Sequence, residues 1–152
     1  MNQLIVHVIR RNDERDGQYS EDKPFHTDTV TDCLCLFTQS LAATGGRSVL
    51  APAWTVYNEL AATRPDLIHV LAEPNWPFDT FGRSPSFYIR ALMYYHQGKL
   101  ITSFSRRLLV GHLPFEARTP GIPGLTEAQA EALDAVHFVA QKARDQTTHG
   151  KR

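Results

Sequence analysis

Residues 24–37 read Pro24-Phe25-His26-Thr27-Asp28-Thr29-Val30-Thr31-Asp32-Cys33-Leu34-Cys35-Leu36-Phe37. A polar entry bearing a histidine and an acid runs into an apolar, β-type stretch. Alternate residues of an extended segment project to one face, so His26 and Asp28 can share a ligand while Thr27 points the other way. A neutral imidazole and a carboxylate are two of the three groups in the 2-His-1-carboxylate facial triad that holds non-heme Fe(II) and leaves coordination positions open. The spacing alone is weak evidence. With 7 His and 16 acidic residues in 152, about 0.7 His-x-acid pairs arise by chance, so a solvated strand-end pair is the plain alternative and the rest of the chain has to decide.

Working outward, the composition is that of one ordinary globular domain. A chain of 152 residues with 42% hydrophobic and 21% charged side chains can bury a sizeable core. Its 16 basic and 16 acidic residues balance, with no long run of either sign, which argues against nucleic acid or an anionic membrane surface as a partner. No stretch approaches the roughly 18 consecutive apolar residues of a membrane span. Residues 1–11 lack an apolar core followed by a small-residue cleavage site. The expectation is a soluble, cytoplasmic protein. Cys33 and Cys35 sit too close on one extended segment for a normal disulfide, and with no further cysteines they make no zinc site. They read as small buried hydrophobes.

The pattern alternates between strand and helix. Residues 4–9 read as a strand, 10–23 as a charged surface loop and 32–39 as a buried strand, followed by a sharp break at Gly45-Gly46. Trp54, Tyr57, Leu60 and Ala61 are spaced three and four apart, which predicts a helix over 54–62, with Trp54, Tyr57 and Leu60 packed as core. Pro65 starts a second helix through Leu67, Ile68 and Leu71. Residues 73–85, with three prolines and Gly82, read as a long irregular loop whose Trp76, Phe78 and Phe81 need cover. Residues 87–96 and 99–106 read as two strands joined at Gln97-Gly98, a strong hairpin signal, with Arg106 and Arg107 closing the second. Thr126-Glu127-Ala128-Gln129 matches a capping box, and Leu133, Val136, His137 and Ala140 continue a helical face to about Ala143. Residues 144–152 read as a flexible tail.

Taken together, FHTD with its apolar strand, GGRS at 45–48, APAWTVYNEL, RPDLIHVLAEPNWPFDTFG, SRRLLVG and IPGLTEAQAEALDAVHFVA resemble the taurine dioxygenase-like (TauD/TfdA-like) family of Fe(II)/2-oxoglutarate-dependent oxygenases, the last two pieces its fungal branch in particular. The resemblance covers residues 24–143. It implies a mixed α/β, mainly β chain with a partial double-stranded β-helix (jelly-roll) core and inserted and flanking helices. It implies His26 and Asp28 as metal ligands for Fe(II), and Ser48 as a hydroxyl holding the carboxylate end of the cosubstrate 2-oxoglutarate. A tight Gly45-Gly46 turn lets backbone approach a ligand and a serine can donate to a carboxylate; a hairpin turn with a polar exit residue explains the same letters. The implied activity is a hydroxylase-type oxidation of a small organic molecule with O₂.

The departures from the family pattern matter equally. The family's second histidine and the arginine that clamps 2-oxoglutarate lie beyond the helix that Thr126 begins, and its usual N-terminal portion is also missing, so residues 1–152 read as a single incomplete oxygenase domain, truncated at both ends, with impaired activity. His7, His69 and His96 read as ordinary histidines, and His112, His137 and His149 as weak substitutes for the third ligand. Arg106 and Arg107 read either as contacts for an acidic ligand or as surface charges. The alternative function is a non-catalytic remnant that self-associates through open strand edges.

Overall fold

The computed structural model describes residues 3–7, 24–28, 48–111 and 117–147, with side chains at 24–28, 50–111 and 117–143. The expected loop at 10–23, the strand at 32–39, Gly45-Gly46, Cys33, Cys35, His112 and His149 lie outside the described residues. In chain order the elements are β1 (Gln3–His7), β2 (Ser48–Pro52), α1 (Ala53–Thr63), α2 (Pro65–Ala72), β3 (Trp76–Asp79), β4 (Phe87–Arg90), β5 (Met93–His96), β6 (Lys99–Thr102), α3 (Arg106–Val110) and α4 (Glu127–Thr147). The strands form three antiparallel pairs, β1–β2, β3–β4 and β5–β6. Among the described residues helix outweighs strand, in a mixed α/β arrangement of short antiparallel pairs.

Helix α4 is the pillar on which α1, α2 and β2 pack. Its capping box forms as expected: the Thr126 N–H donates to Gln129 Oε1 at 2.9 Å, and the Gln129 N–H donates to Thr126 Oγ1 at 3.2 Å. The Gln129 amide also donates to Asn75 Oδ1 at 2.9 Å, joining the start of α4 to the start of β3. Ala132, Leu133, Val136, Val139, Ala140 and Ala143 are buried at helical spacing, so the helix owes its position to one apolar face. It continues to Thr147, four residues into the expected tail. Arg64, between α1 and α2, bridges Asp66 and Glu131 at 2.7 and 2.8 Å, an exposed network that adds little stability but orients both helices against α4.

Helix α1 corrects the expected core. Its buried residues are Ala53, Val56 and Leu60, whereas Trp54 is 43% exposed and meets Tyr57 edge-on, ring centroids 5.7 Å apart. A helix turns roughly 100° per residue, which places Trp54 well away from Val56; the packed stripe runs through Val56 and Leu60, with Tyr57 at its flank.

Residues 73–85 are not one irregular loop. Trp76–Asp79 is a strand, fully buried and paired with β4 in the register Trp76↔Arg90 to Asp79↔Phe87. Pro77 is tolerated because a strand with one partner has an edge where no N–H is required. Trp76 and Phe78 are completely covered, and the Trp76 indole donates to the Val70 carbonyl at 3.1 Å. Phe78 stacks on Tyr88, and the Arg90 guanidinium lies about 5 Å from both rings.

The expected strand over 87–96 is divided at Ala91-Leu92. The Leu92 N–H donates to the Leu71 carbonyl at the end of α2, and its carbonyl accepts from the Ser103 N–H. These long-range bonds move the chain from β3 to a new partner, β6. The hairpin at Gln97-Gly98 forms as expected, with φ of 48° and 77°, the paired positive values of a type I′ turn. The following strand ends at Thr102, and Arg106 and Arg107 open α3 rather than closing a strand.

Candidate functional site

The segment from Pro24 to Asp28 is held at three points. Phe25 is 4% exposed and meets the edge of the His137 imidazole on α4, ring centroids 5.7 Å apart at 71°. His26 forms an isolated antiparallel bridge with Ser105, at the junction between β6 and α3. Thr27 is doubly fastened to Phe104: its N–H donates to the Phe104 carbonyl at 2.6 Å, while its Oγ1 accepts from the Phe104 N–H at 2.8 Å and donates to the same carbonyl at 3.3 Å. Phe104 itself has no exposed surface. The extended segment is thus nailed to the core through Phe25 and Thr27, the alternate phase to His26 and Asp28.

His26 is half-buried and Asp28 exposed. The His26 Nδ1 lies 3.0 Å from the Pro24 carbonyl oxygen. A carbonyl can only accept, so Nδ1 is the donor in this contact. A backbone carbonyl fixing the tautomer in this way is a common support for a metal-ligating histidine. Together with a carboxylate two residues on, this nitrogen/oxygen donor set suits Fe(II). Ser48 opens β2 opposite His7, on a different strand pair from the His26 bridge; α4 is the element both regions share, packing on β2 and carrying the His137 ring that meets Phe25. Among the described residues no group of three or more His, Cys, Asp or Glu side chains could hold a metal ion, so His137 does not join His26 and Asp28 in such a group.

His137 serves as packing. Its Nδ1 is buried with no hydrogen-bond partner among the described residues. Burial pushes its pKa below the ordinary 6.5, the neighbouring Arg106 charge pushes it the same way, and Asp134 opposes them. A neutral ring against Phe25 results. Arg106 is ion-paired with Asp134 on α4, and the Arg107 guanidinium lies 5.0 Å above the Phe81 ring.

A second polar node was not legible in the sequence. Asp79, 1% exposed, accepts from the Phe81 N–H at 2.7 Å, the Thr119 N–H at 2.7 Å and the Thr119 hydroxyl at 2.8 Å. Burial would raise its pKa, but those donors and the nearby Arg118 charge outweigh it and hold the carboxyl below its usual value. Arg118 in turn donates to the Pro77 and Pro123 carbonyls at 3.1 and 3.0 Å. The node ties the segment leading into α4 onto β3, and α4 then covers Phe25. An acid in a proline-rich stretch carries no periodic signal of burial. For the Thr27 clamp the sequence offers one hint, a hydroxyl in the inward phase of the segment.

Comparison with known proteins identifies the family. The family described as "Taurine catabolism dioxygenase TauD, TfdA family" matches residues 3–150. A curated relative, the taurine hydroxylase-like protein SAT17 of Stachybotrys chartarum, is 37% identical over 119 residues, covering 78% of this chain and 30% of the relative. The chain therefore spans under a third of that relative's length. No solved structure matches significantly. With its matched span reaching from β1 past the end of α4, the chain belongs to the TauD, TfdA family, whose members share a dioxygenase-type fold.

Proposed function

We propose that this chain carries part of an Fe(II)/2-oxoglutarate-dependent dioxygenase site, with His26 and Asp28 as metal ligands and Ser48 as a donor to the 2-oxoglutarate carboxylate. The observation that carries the reading is the anchored His26-Thr27-Asp28 segment with Nδ1 of His26 committed to the Pro24 carbonyl. When bound, Fe(II) with 2-oxoglutarate and O₂ supplies oxidation of a C–H bond coupled to decarboxylation of the cosubstrate to succinate. What the chain itself contributes is placement. The Phe25 and Thr27 anchors fix the segment, the carbonyl fixes the imidazole tautomer, and Ser48 offers one neutral hydroxyl. The substrate class is a small organic molecule, in keeping with the hydroxylase name of the Stachybotrys relative. The scaffold we infer is part of a double-stranded β-helix, supported by the three antiparallel pairs and the His26–Ser105 bridge. A soluble, cytoplasmic setting accords with the described helices, none of which is long and apolar enough to cross a membrane.

Among the described residues His26 and Asp28 are the proposed protein donors, and a site held by two donors binds Fe(II) weakly and turns over little 2-oxoglutarate, because losing one metal ligand weakens a site more than the roughly 10- to 100-fold lost with outer support. A second reading is favoured by a specific observation: the strand pairs have open edges among the described residues, and Ile89 and Tyr95 on β4 and β5 are 49% and 68% exposed. On that reading the chain is a non-catalytic module that self-associates. Size exclusion during an Fe(II) titration, with succinate measured in the same samples, separates the two. Metal-dependent behaviour that needs His26 and Asp28 supports the oxygenase site; metal-independent oligomers with no binding refute it.

A further inference from the structure

We propose that Thr27 is a positioning residue for the metal pair, its hydroxyl acting as a substitute rung of β-ladder that fixes the orientation of both neighbouring ligands. The inference rests on the reading of His26 and Asp28 as ligands. Among the described residues His26 and Ser105 form an isolated antiparallel bridge. At the next position the Thr27 N–H donates to the Phe104 carbonyl, which is one half of the reciprocal pair that a ladder rung exchanges. The Thr27 Oγ1 supplies the other half: it takes the Phe104 N–H at 2.8 Å and returns to the same carbonyl at 3.3 Å, so both polar groups of one buried residue are bound by one side chain.

Thr27 lies between the two ligands in sequence. Any rotation it permits therefore moves the His26 and Asp28 donors together relative to the core, and a metal site needs its donors held to within fractions of an ångström. The β-branched side chain also has few rotamers, so the clamp costs little ordering entropy when formed. Valine matches threonine in shape but can neither accept from the Phe104 N–H nor donate to its carbonyl. Serine keeps both bonds and loses only the methyl group.

The test is Co(II) titration followed by visible absorption, on wild type, Thr27→Val, Thr27→Ser, His26→Ala and, as a destabilised control in α2, Leu67→Ala. We expect Thr27→Val to raise the Kd about 10- to 100-fold and to alter the ligand-field bands, with Thr27→Ser close to wild type and Leu67→Ala unchanged in affinity. Wild-type affinity in Thr27→Val, an equal loss in Thr27→Ser, or the same loss in Leu67→Ala would each overturn the inference while leaving the ligand reading in place. Binding that is absent in wild type, or untouched by His26→Ala, would instead overturn the ligand reading and this inference with it. Should Thr27→Val fail to fold, amide exchange in the wild type decides: Co(II) must slow exchange at Thr27 and Phe104, since coupling between clamp and metal is reciprocal, and unchanged exchange there refutes the clamp.

Discussion

Replacing Asp79 by asparagine tests whether the segment leading into α4 is held by a carboxylate. Asparagine has the same shape but one acceptor oxygen instead of two. If that oxygen takes the Oδ1 position, it keeps the Phe81 N–H and the Thr119 hydroxyl, and its amide then faces the Thr119 N–H, donor against donor, at the 2.7 Å contact. The other orientation loses the Phe81 bond instead. Either way one charge-assisted bond disappears, worth about 1.5–3 kcal/mol, and a buried N–H is left without an acceptor, at about 1–3 kcal/mol; because these overlap, we expect a net loss of about 2–4 kcal/mol. Equilibrium urea unfolding measures it directly through the midpoint and slope. The pH dependence gives an independent signature. Asp79 titrates below its ordinary 3.8 in the fold, so its contribution is full above about that value and is lost as pH falls through the lower folded pKa. The gap between wild type and Asp79→Asn should narrow over that acidic window. A loss under about 1 kcal/mol at neutral pH, or a gap that stays constant into acid, would refute the role of the carboxylate.

Two further outcomes follow from burial. Trp76→Ala should cost about 3–5 kcal/mol as a large core truncation, and Trp54→Ala about 1 kcal/mol or less because its ring is on the surface; thermal melts giving equal losses would refute the revised core. His137 carries a folded pKa below 6.5, so the unfolded chain takes up its proton first as pH falls, and stability drops from about 6.5 down through the folded pKa. His137→Leu should lack that part of the decline in urea midpoints measured from pH 7.5 to 5, and an identical profile would show that the ring does not titrate as described.

Local chemistry was the legible part of this fold. The Gln97-Gly98 turn, the Thr126 capping box and Pro65 at the head of α2 each depend on residues within a few positions of one another, and each appears where its signal lies. The parts that escaped depend on partners far along the chain. Trp76–Asp79 is a strand because Phe87–Arg90 lies beside it; Pro77 within it and Pro74 just before it hide that from a local reading. The division of 87–96 comes from Leu92 bonding to Leu71 and Ser103, which no periodicity encodes. On α1 the aromatic residues drew attention to the wrong side of the helix, since Trp54 outweighs Val56 in apolar area while Val56 is the one at the packed angle. At the site, the ligand pair was visible as a spacing and its support was not: Phe104 and Ser105 stand nearly 80 positions downstream of Thr27 and His26.

Anaerobic calorimetric titration of Fe(II) into wild type, His26→Ala, Asp28→Ala and His69→Ala is the most direct test of the metal-pair assignment. His69 is an exposed α2 histidine and serves as the control for non-specific imidazole binding. The account predicts weak one-to-one binding by wild type and by His69→Ala, and binding at least about 100-fold weaker or undetectable in both ligand variants, since a lost ligand costs more than lost outer support. Unchanged Fe(II) affinity in His26→Ala and Asp28→Ala would contradict it.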